Sequence, residues 1–317
     1  MGKLIDGVWT DQPFPTDSDG NFTRAPTTFR GRVEAGGRFA PEAGRYHLYV
    51  SLACPWAHRV LIHRKLRGLE DVISLSVVHY EMFDDGWEFK DGPGVISDPV
   101  YGARFMRDVY VAADPKFTGR VTVPVLWDKQ EGTIVNNESR DLIRMLNTSF
   151  LELGNPTISF FRPEQAAAID AAIDAIYEPI NNGVYRSGFA RSQRAYDSAV
   201  TELFEALDHW EKVLGEQRFL AGDKLTEADW CLFTTLVRFD PVYHGHFKCN
   251  LRRIADYPHL SNYLRQLYQV PGVAETVDFE HIKKHYYRSH ESVNPTRIVP
   301  KGPIQDLQAP HNRGDWR

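Results

Sequence analysis

The sequence predicts two domains of different class, an α/β domain followed by an all-helical domain. The first observation is a strand-like segment, YHLYV (46–50), followed by a helix-like segment and a second apolar run, VISLSVVHY (72–80). This order is typical of a βαβ unit with a parallel strand pair. The second observation is that the chain after Pro156 loses this alternation and has helical periodicity to about residue 290. A chain of 317 residues is long enough for each domain to bury its own core.

Composition favours a soluble protein of a reducing compartment. Charged residues make up 25% of the chain, and the net charge of −5 provides no positive field that would attract nucleic acid. The N-terminal segment lacks the apolar core of a signal peptide, and no window approaches the ~18 apolar residues of a membrane span. Three cysteines argue against a disulfide framework. We therefore expect a cytoplasmic protein that binds neither nucleic acid nor membrane.

Four regions are expected along the chain. Residues 1–44 are predicted to form an irregular N-terminal arm, because they are rich in Gly, Pro, Asp, Thr and Arg and show no sustained periodicity. The α/β domain is expected over 45–150 and the helical domain over 160–290. Residues 291–317 are predicted to form an extended C-terminal tail, since they contain four prolines, at positions 295, 300, 303 and 310.

The elements of the α/β domain can be predicted in order. After YHLYV, a helix is predicted from Pro55 to Leu66, and Gly68 marks its end. The long Gly-rich and aromatic stretch 81–105 is typical of a functional lid or a disordered segment. RVTVPVLWD (120–128) predicts a strand interrupted by a proline; the short strand TIVN and the helix ESRDLIRML follow.

The helical domain contains two clear helix signals. In RSQRAYDSAVTELFEALDHWEKVLG, apolar residues recur at intervals of three and four and form one stripe of an amphipathic helix: Tyr196, Val200, Leu203, Phe204, Leu207, Trp210 and Leu214. Further along, Thr226 with Asp229 three residues later forms a variant capping box, which predicts the start of a buried helix.

The segment SLACPWAHRV holds a lone cysteine at a predicted helix start. Cys54 would occupy the N-cap, with Pro55 at the first helical position, and the positive end of the helix favours a thiolate. The alternative is a small buried core residue. Ala57 stands where a C-x-x-C pair would have its second cysteine, so another thiol must resolve a disulfide on Cys54. Because Cys231 and Cys249 lie in less suitable settings, a small-molecule thiol is the favoured partner.

Two further features fit a thiol site. A cis bond between Val123 and Pro124 would expose the Val123 backbone to an extended peptide ligand, and the alternative is an ordinary trans proline on an edge strand. Glu138 and Ser139 open a helix, where N–H groups and the Ser hydroxyl could hold a carboxylate and Glu138 could take an amino group. The alternative for this pair is a plain capped helix.

A metal site is not predicted. His281 and His285 lie four residues apart on a predicted helix and could share a metal ion, but no third ligand stands at a useful spacing. The alternative is that both lie on a solvated helix face.

Taken together, these motifs resemble those of the cytosolic glutathione transferases over residues 45–290. The motifs are CPWA after a strand, V-P before a strand, E-S opening a helix, and F-L-x-G-D-x-L-T-x-A-D in the helical part. More closely, four runs resemble the omega-like Xi class, the glutathionyl-hydroquinone reductases: SLACPWAHR, NNGVYRSGFA, RFDPVYHGHFKCN and IKKHYY. The resemblance implies an N-terminal thioredoxin-like domain, a glutathione-transferase helical domain and a homodimer.

The resemblance also implies roles for single residues. Cys54 would be the nucleophile and Tyr185 the proton donor or acceptor, with Tyr243 and Tyr286 as hydrogen-bonding groups near the thiol. Glutathione, the co-substrate, would be held by Trp87, Arg120, Val123, Pro124, Glu138 and Ser139.

The implied activity is the reduction of S-glutathionyl-hydroquinones to hydroquinones. A Cys54–glutathione mixed disulfide would form, and a second glutathione would resolve it to give oxidised glutathione. Two alternatives remain open from the sequence. One is an omega-like thioltransferase or dehydroascorbate reductase that uses the same cysteine, and the other is a non-catalytic glutathione-binding module.

Overall fold

The computed structural model describes residues 2–12 and 15–314, whose contacts divide them into two units. Unit 1 contains residues 2–12, 25–159 and 276–285. Unit 2 contains residues 15–24, 160–275 and 286–314. Among the described residues, no helix combines the length and the apolar character that a membrane span requires.

Unit 1 combines strands with helices, as the sequence predicts, although the helix over 106–113 was not predicted. In chain order they are β1 (Gly2–Ile5), β2 (Val8–Asp11), β3 (Tyr46–Val50), α1 (Pro55–Leu66), β4 (Ser74–Val77), β5 (Met82–Phe83), β6 (Gly86–Trp87), α2 (Met106–Ala113), β7 (Gly119–Arg120), β8 (Val125–Asp128), β9 (Thr133–Asn136) and α3 (Ser139–Asn147). A 3₁₀ turn, Leu151–Leu153, follows.

The main sheet of unit 1 is a mixed sheet with the strand order β4-β3-β8-β9. Strands β3 and β4 are parallel, which confirms the predicted βαβ unit, while β8 is antiparallel to both of its neighbours. Every residue of β3 is buried, and this explains why YHLYV has no polar alternation. Helices α1 and α3 pack against each other.

The prediction of a strand over 120–128 is wrong for its first half. Because Pro124 has no N–H to donate to a ladder, β8 begins only at Val125, and Pro124 does not lie on an edge strand. Arg120 lies instead in β7, which pairs with β1 in a separate sheet of order β2-β1-β7. The Val123–Pro124 bond is cis, the first of the two alternatives that the sequence leaves open.

The N-terminal arm differs from the irregular chain expected over 1–44. Strands β1 and β2 form an antiparallel hairpin whose turn residues, Asp6 and Gly7, have φ values of 47° and 77°. Asp-Gly is a strong signal for a two-residue hairpin turn with positive φ at both positions. Each strand has only four residues, too few to show periodicity, so this dipeptide is the signal that the sequence analysis missed.

The long stretch 81–105 is ordered around a buried carboxylate. Asp98 accepts backbone N–H bonds from Val100, Tyr101 and Ala103 and a 2.9 Å hydrogen bond from the Tyr49 hydroxyl of β3. Strands β5 and β6 form a short hairpin within the same stretch.

Unit 2 is helical, as predicted. Its helices are α4 (Ala166–Ile176), α5 (Gly183–Gly188), α6 (Gln193–Glu216), α7 (Glu227–Arg238), α8 (His244–His246) and α9 (Pro258–Tyr268), with 3₁₀ turns at Pro163–Gln165 and Ile254–Asp256. A third 3₁₀ turn, Ala274–Thr276, begins in unit 2 and ends in unit 1. The last helix, α10 (Phe279–Ser289), begins in unit 1 and ends in unit 2. The predicted capping box is present: Thr226 and Asp229 begin α7, which is buried along its whole length. Residues 293–314 contain neither helix nor strand.

Two helices of unit 2 continue into π-helical turns that the sequence analysis did not predict. They are Tyr177–Asn181 after α4 and Phe239–Tyr243 after α7. Each turn carries a proline at its third position, and a proline cannot donate the usual intrahelical bond. The wider i→i+5 bonds run instead, from the Asn182 N–H to the Tyr177 carbonyl at 2.8 Å and from the His244 N–H to the Phe239 carbonyl.

Candidate active site

Cys54 lies at the N-cap of α1, as the sequence predicts. Its backbone is extended, and its Sγ accepts a hydrogen bond from the Ala57 N–H at 3.5 Å. The thiol also lies 3.5 Å from the Val123 carbonyl oxygen, to which it donates. The side chain is partly exposed. A thiol at a helix start, reachable by solvent, has the setting of a reactive cysteine, and not that of a core residue.

The two other cysteines have a different setting. All three cysteine side chains are thiols, but Cys231 and Cys249 are fully buried in unit 2. Burial raises the pKa of the Cys249 thiol well above its usual value. Neither residue is accessible in the way that Cys54 is.

The start of α3 brings Glu138 and Ser139 together, and Arg59 links this end to α1. Glu138 is the N-cap, and its carboxylate accepts bonds from the Arg140 N–H at 3.1 Å and the Thr27 hydroxyl at 3.3 Å. Ser139 is buried, and its Oγ accepts a hydrogen bond from Arg59 Nη1 at 3.3 Å. This helix start therefore combines a carboxylate, a hydroxyl and helix-end N–H groups, which together suit the zwitterionic end of an amino acid.

Arg59, which donates to Ser139 at the candidate site, was not singled out in the sequence analysis. Its guanidinium lies 4.4 Å from the ring centroid of Trp56, three residues earlier on α1. The i,i+3 spacing of an aromatic residue and an arginine is a signal that could have identified the pair.

Trp87 and Arg120 lie in other elements of unit 1. The Trp87 ring, in β6, is buried and stacks on the His285 ring with a centroid distance of 4.8 Å. Arg120, in β7, donates from Nη1 to the carbonyls of Gly2 and Gln12, each at 3.3 Å. Both side chains are thus held by other residues of unit 1.

His281 and His285 do not lie on a solvated helix face, because both are buried in unit 1. His281 Nε2 donates to the Pro93 carbonyl at 2.6 Å, and His285 Nδ1 donates to the Tyr80 carbonyl at 2.8 Å. Within the described residues, no group of three or more His, Cys, Asp or Glu side chains could hold a metal ion. The two imidazoles instead form hydrogen bonds that link the first half of α10 to the stretch that follows β4.

The three predicted tyrosines form one hydrogen-bonded cluster in unit 2. The Tyr286 hydroxyl oxygen lies 2.5 Å from that of Tyr185 and 3.1 Å from that of Tyr243. Tyr243 and Tyr286 are almost completely buried, and Tyr185 is the most exposed of the three, at 9%. The Phe247 ring contacts all three rings, with centroid distances of 5.6 Å. Sequence runs that are far apart along the chain therefore meet at three phenols.

Burial sets the protonation of the inner two phenols. Desolvation raises the pKa of both Tyr243 and Tyr286 well above the usual value, while the buried Arg238 guanidinium acts in the opposite direction. Both hydroxyls therefore keep their protons at neutral pH and can donate hydrogen bonds towards Tyr185. The π-helical turn Phe239–Tyr243 places Tyr243 in this position.

Two family models match the chain. The model of the glutathione S-transferase N-terminal domain matches residues 53–149, and the model of the C-terminal domain matches residues 193–266. The matches therefore fall on the α/β part of unit 1 and on the helices of unit 2.

Two relatives are similar over nearly the whole chain. Glutathionyl-hydroquinone reductase YqjG of Escherichia coli (strain K12) is 53% identical over 99% of this chain and 98% of its own. Glutathionyl-hydroquinone reductase PcpF of Sphingobium chlorophenolicum is 53% identical over 97% of this chain and 98% of its own.

Solved structures of glutathione transferases are also similar to this chain over nearly its whole length. A Xi class GST from Natrialba magadii has a TM-score of 0.94 at 53% identity and covers 99% of this chain and 96% of that chain. The glutathione-bound structure of YqjG, a glutathione transferase homolog from Escherichia coli K-12, has a TM-score of 0.91 at 51% identity, with coverages of 98% and 99%. The chain therefore belongs to the glutathione transferase family and, within it, to the Xi-class glutathionyl-hydroquinone reductases.

Proposed function

We propose that this protein reduces S-glutathionyl-hydroquinones to hydroquinones and uses glutathione as the reductant. The observation that carries the proposal is the partly exposed thiol of Cys54 at the start of α1, with Ala57 in the place of a second cysteine. The names of the relatives YqjG and PcpF, both glutathionyl-hydroquinone reductases, support the same reaction.

In the first step, the Cys54 thiolate attacks the sulfur that joins glutathione to the aromatic ring. A sulfur–sulfur bond forms, the sulfur–carbon bond breaks, and its electron pair goes to the ring carbon. The Tyr185 phenol gives that carbon a proton and becomes a phenolate. The products are the free hydroquinone and a Cys54–glutathione mixed disulfide. The N-terminal end of α1 stabilises the attacking thiolate.

In the second step, the thiolate of another glutathione attacks the glutathione sulfur of the mixed disulfide. The bond to Cys54 breaks, the Cys54 thiolate is restored, and oxidised glutathione leaves. The proton from the incoming thiol restores the Tyr185 phenol. Because Ala57 carries no thiol and Cys249 is buried, a dissolved thiol performs this step.

The other two tyrosines support Tyr185 in the proposed reaction. Once Tyr185 is a phenolate, the Tyr286 hydroxyl donates to its oxygen, and the Tyr243 hydroxyl donates to Tyr286. A chain of hydrogen bonds in a buried setting stabilises charge at its end more than a single bond does. The distances of 2.5 Å and 3.1 Å support this role.

Six residues of unit 1 are proposed to bind glutathione. At the γ-glutamyl end, Glu138 takes the ammonium, and Ser139 with the N-terminal end of α3 takes the α-carboxylate. The cysteinyl backbone pairs with Val123, whose neighbour Pro124 fixes the bend of the chain. Arg120, together with the Val123 backbone, holds the peptide part, and the Trp87 ring flanks the ligand.

We further propose that the protein is a homodimer and works in the cytoplasm. The three thiols and the need for reduced glutathione support a reducing compartment. The resemblance to the family supports the dimer, and sedimentation velocity of the purified protein would measure it.

The activity is tested by comparing four substrates under the same conditions: a glutathionyl-hydroquinone, a small glutathione mixed disulfide, dehydroascorbate and an aryl halide. We expect the highest kcat/KM on the glutathionyl-hydroquinone and its loss in Cys54→Ala, because no other accessible thiol replaces Cys54. Cys231→Ala, which removes a buried thiol, should keep the activity.

Other outcomes would contradict the proposal in distinct ways. Faster turnover of the mixed disulfide or of dehydroascorbate would make the protein a thioltransferase or a dehydroascorbate reductase. Preferred conjugation of the aryl halide would make it a conjugating transferase. Binding of glutathione with no turnover of any substrate would make it a binding module.

A further inference from the structure

Arg24 lies over the ring of Tyr185 in unit 2. Its Cζ atom is 5.2 Å from the ring centroid, within the distance of about 6 Å at which a cation interacts with an aromatic face. Its Nε donates to Asn182 Oδ1 at 3.1 Å, three residues before Tyr185, and this bond holds the guanidinium in place. The side chain is otherwise largely exposed.

The segment that carries Arg24 is anchored by other contacts. The Phe22 ring packs against the Phe189 ring with a centroid distance of 5.6 Å. The Ser192 hydroxyl donates to the Asp19 carbonyl at 2.7 Å, and the next residue along the segment, Gly20, accepts a bond from the Arg191 N–H at 2.9 Å. The Arg24 Cζ atom is also 5.5 Å from the Phe22 ring centroid. The bonds to the Asp19 and Gly20 carbonyls do not involve the Arg24 side chain, so these anchors remain when it is replaced.

A positive charge at this position distinguishes two states of Tyr185. The guanidinium attracts the face of a neutral phenol weakly, and it attracts a phenolate more strongly because the phenolate carries a full negative charge. The proposed first step converts Tyr185 from the first state to the second. Arg24 thus favours the state that the proton transfer produces.

We propose that Arg24 is a positioning residue for Tyr185, whose guanidinium stabilises the phenolate that forms when Tyr185 protonates the ring carbon of the substrate. This inference rests on the proposed function, since it requires Tyr185 to give up its proton during the reaction. It assigns a role in the reaction to a residue of the N-terminal arm.

Other charged and titratable groups surround the cluster as well. They lie on α7, on the π-helical turn that follows it, on α8 and α10, and just beyond α10: Arg238, Tyr243, His246, Tyr286 and His290. All of them stay the same when Arg24 alone is replaced. A difference in kcat or in its pH profile between the wild type and an Arg24 variant therefore measures the effect of the Arg24 guanidinium.

Arg24→Gln and Arg24→Lys test the proposal through the pH profile of kcat. At neutral pH, Arg24→Gln should lower kcat on a glutathionyl-hydroquinone about two- to fivefold, with the KM for glutathione unchanged. On the alkaline side of the profile, the kcat of Arg24→Gln should begin to fall at a higher pH than that of the wild type, because without the cation Tyr185 keeps its proton up to a higher pH. Arg24→Lys keeps the positive charge, so its kcat and its pH profile should lie between those of the wild type and those of Arg24→Gln. Structural damage alone would lower kcat without moving the profile.

Two further variants complete the test. Arg252→Gln is the matched control, because the Arg252 guanidinium lies 4.8 Å from the ring centroid of Tyr257 in the same unit, and it should change neither kcat nor the profile. In a Tyr185→Phe background, Arg24→Gln should have no further effect.

Besides a lowered kcat with an unmoved pH profile, three results would overturn the inference. A wild-type kcat and profile in Arg24→Gln, or the same loss in the Tyr185→Phe background, would refute the role of Arg24 alone. A wild-type rate in Tyr185→Phe itself would refute the proposed role of Tyr185, and the role of Arg24 would fall with it.

Discussion

At the scale of single residues, the same functional group has different chemistry in the two units because its surroundings differ. The Cys54 thiol lies at a helix start, accepts the Ala57 N–H and is partly exposed. The Cys249 thiol is buried, and burial raises its pKa. A thiolate is favoured at the first position and disfavoured at the second.

The sequence predicts Cys54 and misses Arg24 for a physical reason. The groups that set the environment of Cys54 are its immediate neighbours, Pro55 and Ala57, so local patterns contain the information. The hydrogen bond of Arg24 joins residues 158 positions apart, to Asn182, and nothing local to the arm indicates it. Tyr185 is predictable only because the run around it resembles those of a known family.

Buried histidines should make the fold sensitive to acid. His47 in β3 is fully buried between the hydroxyls of Ser74 and Ser76, at 2.7 Å and 2.9 Å, and burial lowers its pKa from 6.5 to about 4. In the unfolded chain the residue takes up a proton near pH 6.5. The stability it contributes is therefore present above that pH and is lost as the pH falls towards 4.

We expect His47 to account for about 2 kcal/mol of the loss in unfolding free energy between about pH 7 and about pH 4.5. Urea unfolding followed by circular dichroism measures it, and His47→Gln should show a shallower dependence on pH than the wild type. His209→Gln, at an exposed position, should keep the wild-type dependence. An unchanged slope in His47→Gln would contradict this explanation.

At the scale of elements, the structure follows the sequence where a boundary has a local chemical cause. Strand β3, helix α1 and strand β9 have the predicted bounds, and the capping box begins α7. The sequence analysis missed the hairpin of β1 and β2, which depends on a two-residue turn. It also missed the two π-helical turns, each of which depends on one proline. Periodicity over longer windows does not detect signals that short.

The capping box should contribute strongly to the stability of unit 2. The Asp229 carboxylate is fully buried and accepts bonds from the Leu220 N–H, the Tyr263 hydroxyl, and the N–H and hydroxyl of Thr226. Asp229→Ala would leave these buried donors without an acceptor, so the unfolding free energy should fall by about 3 kcal/mol or more. Urea unfolding measures the change.

The exposed neighbour Asp223 provides the control for this prediction. Asp223→Ala should change the unfolding free energy by less than about 0.5 kcal/mol. Equal losses in the two variants would show that the buried hydrogen bonds of Asp229 contribute little.

At the scale of the whole molecule, the fold class was predictable and the grouping of the chain into units was not. The change from strand–helix alternation to helices alone is visible in the sequence, and the structure confirms it. The helical domain was expected to continue to residue 290, but α10 is divided between the units. The hydrogen bond from His285 to Tyr80 joins residues 205 positions apart in unit 1, and such contacts leave no local pattern.

The central claim is that Cys54 takes glutathione from an aromatic carbon and holds it as a mixed disulfide. A single-turnover experiment tests it directly: the protein is mixed with one equivalent of a glutathionyl-hydroquinone and no free glutathione, then quenched for intact-mass measurement. We predict one hydroquinone released per chain and a mass gain of one glutathione, both lost in Cys54→Ala. Release of hydroquinone without a mass gain, or the same gain in Cys54→Ala, would contradict the claim.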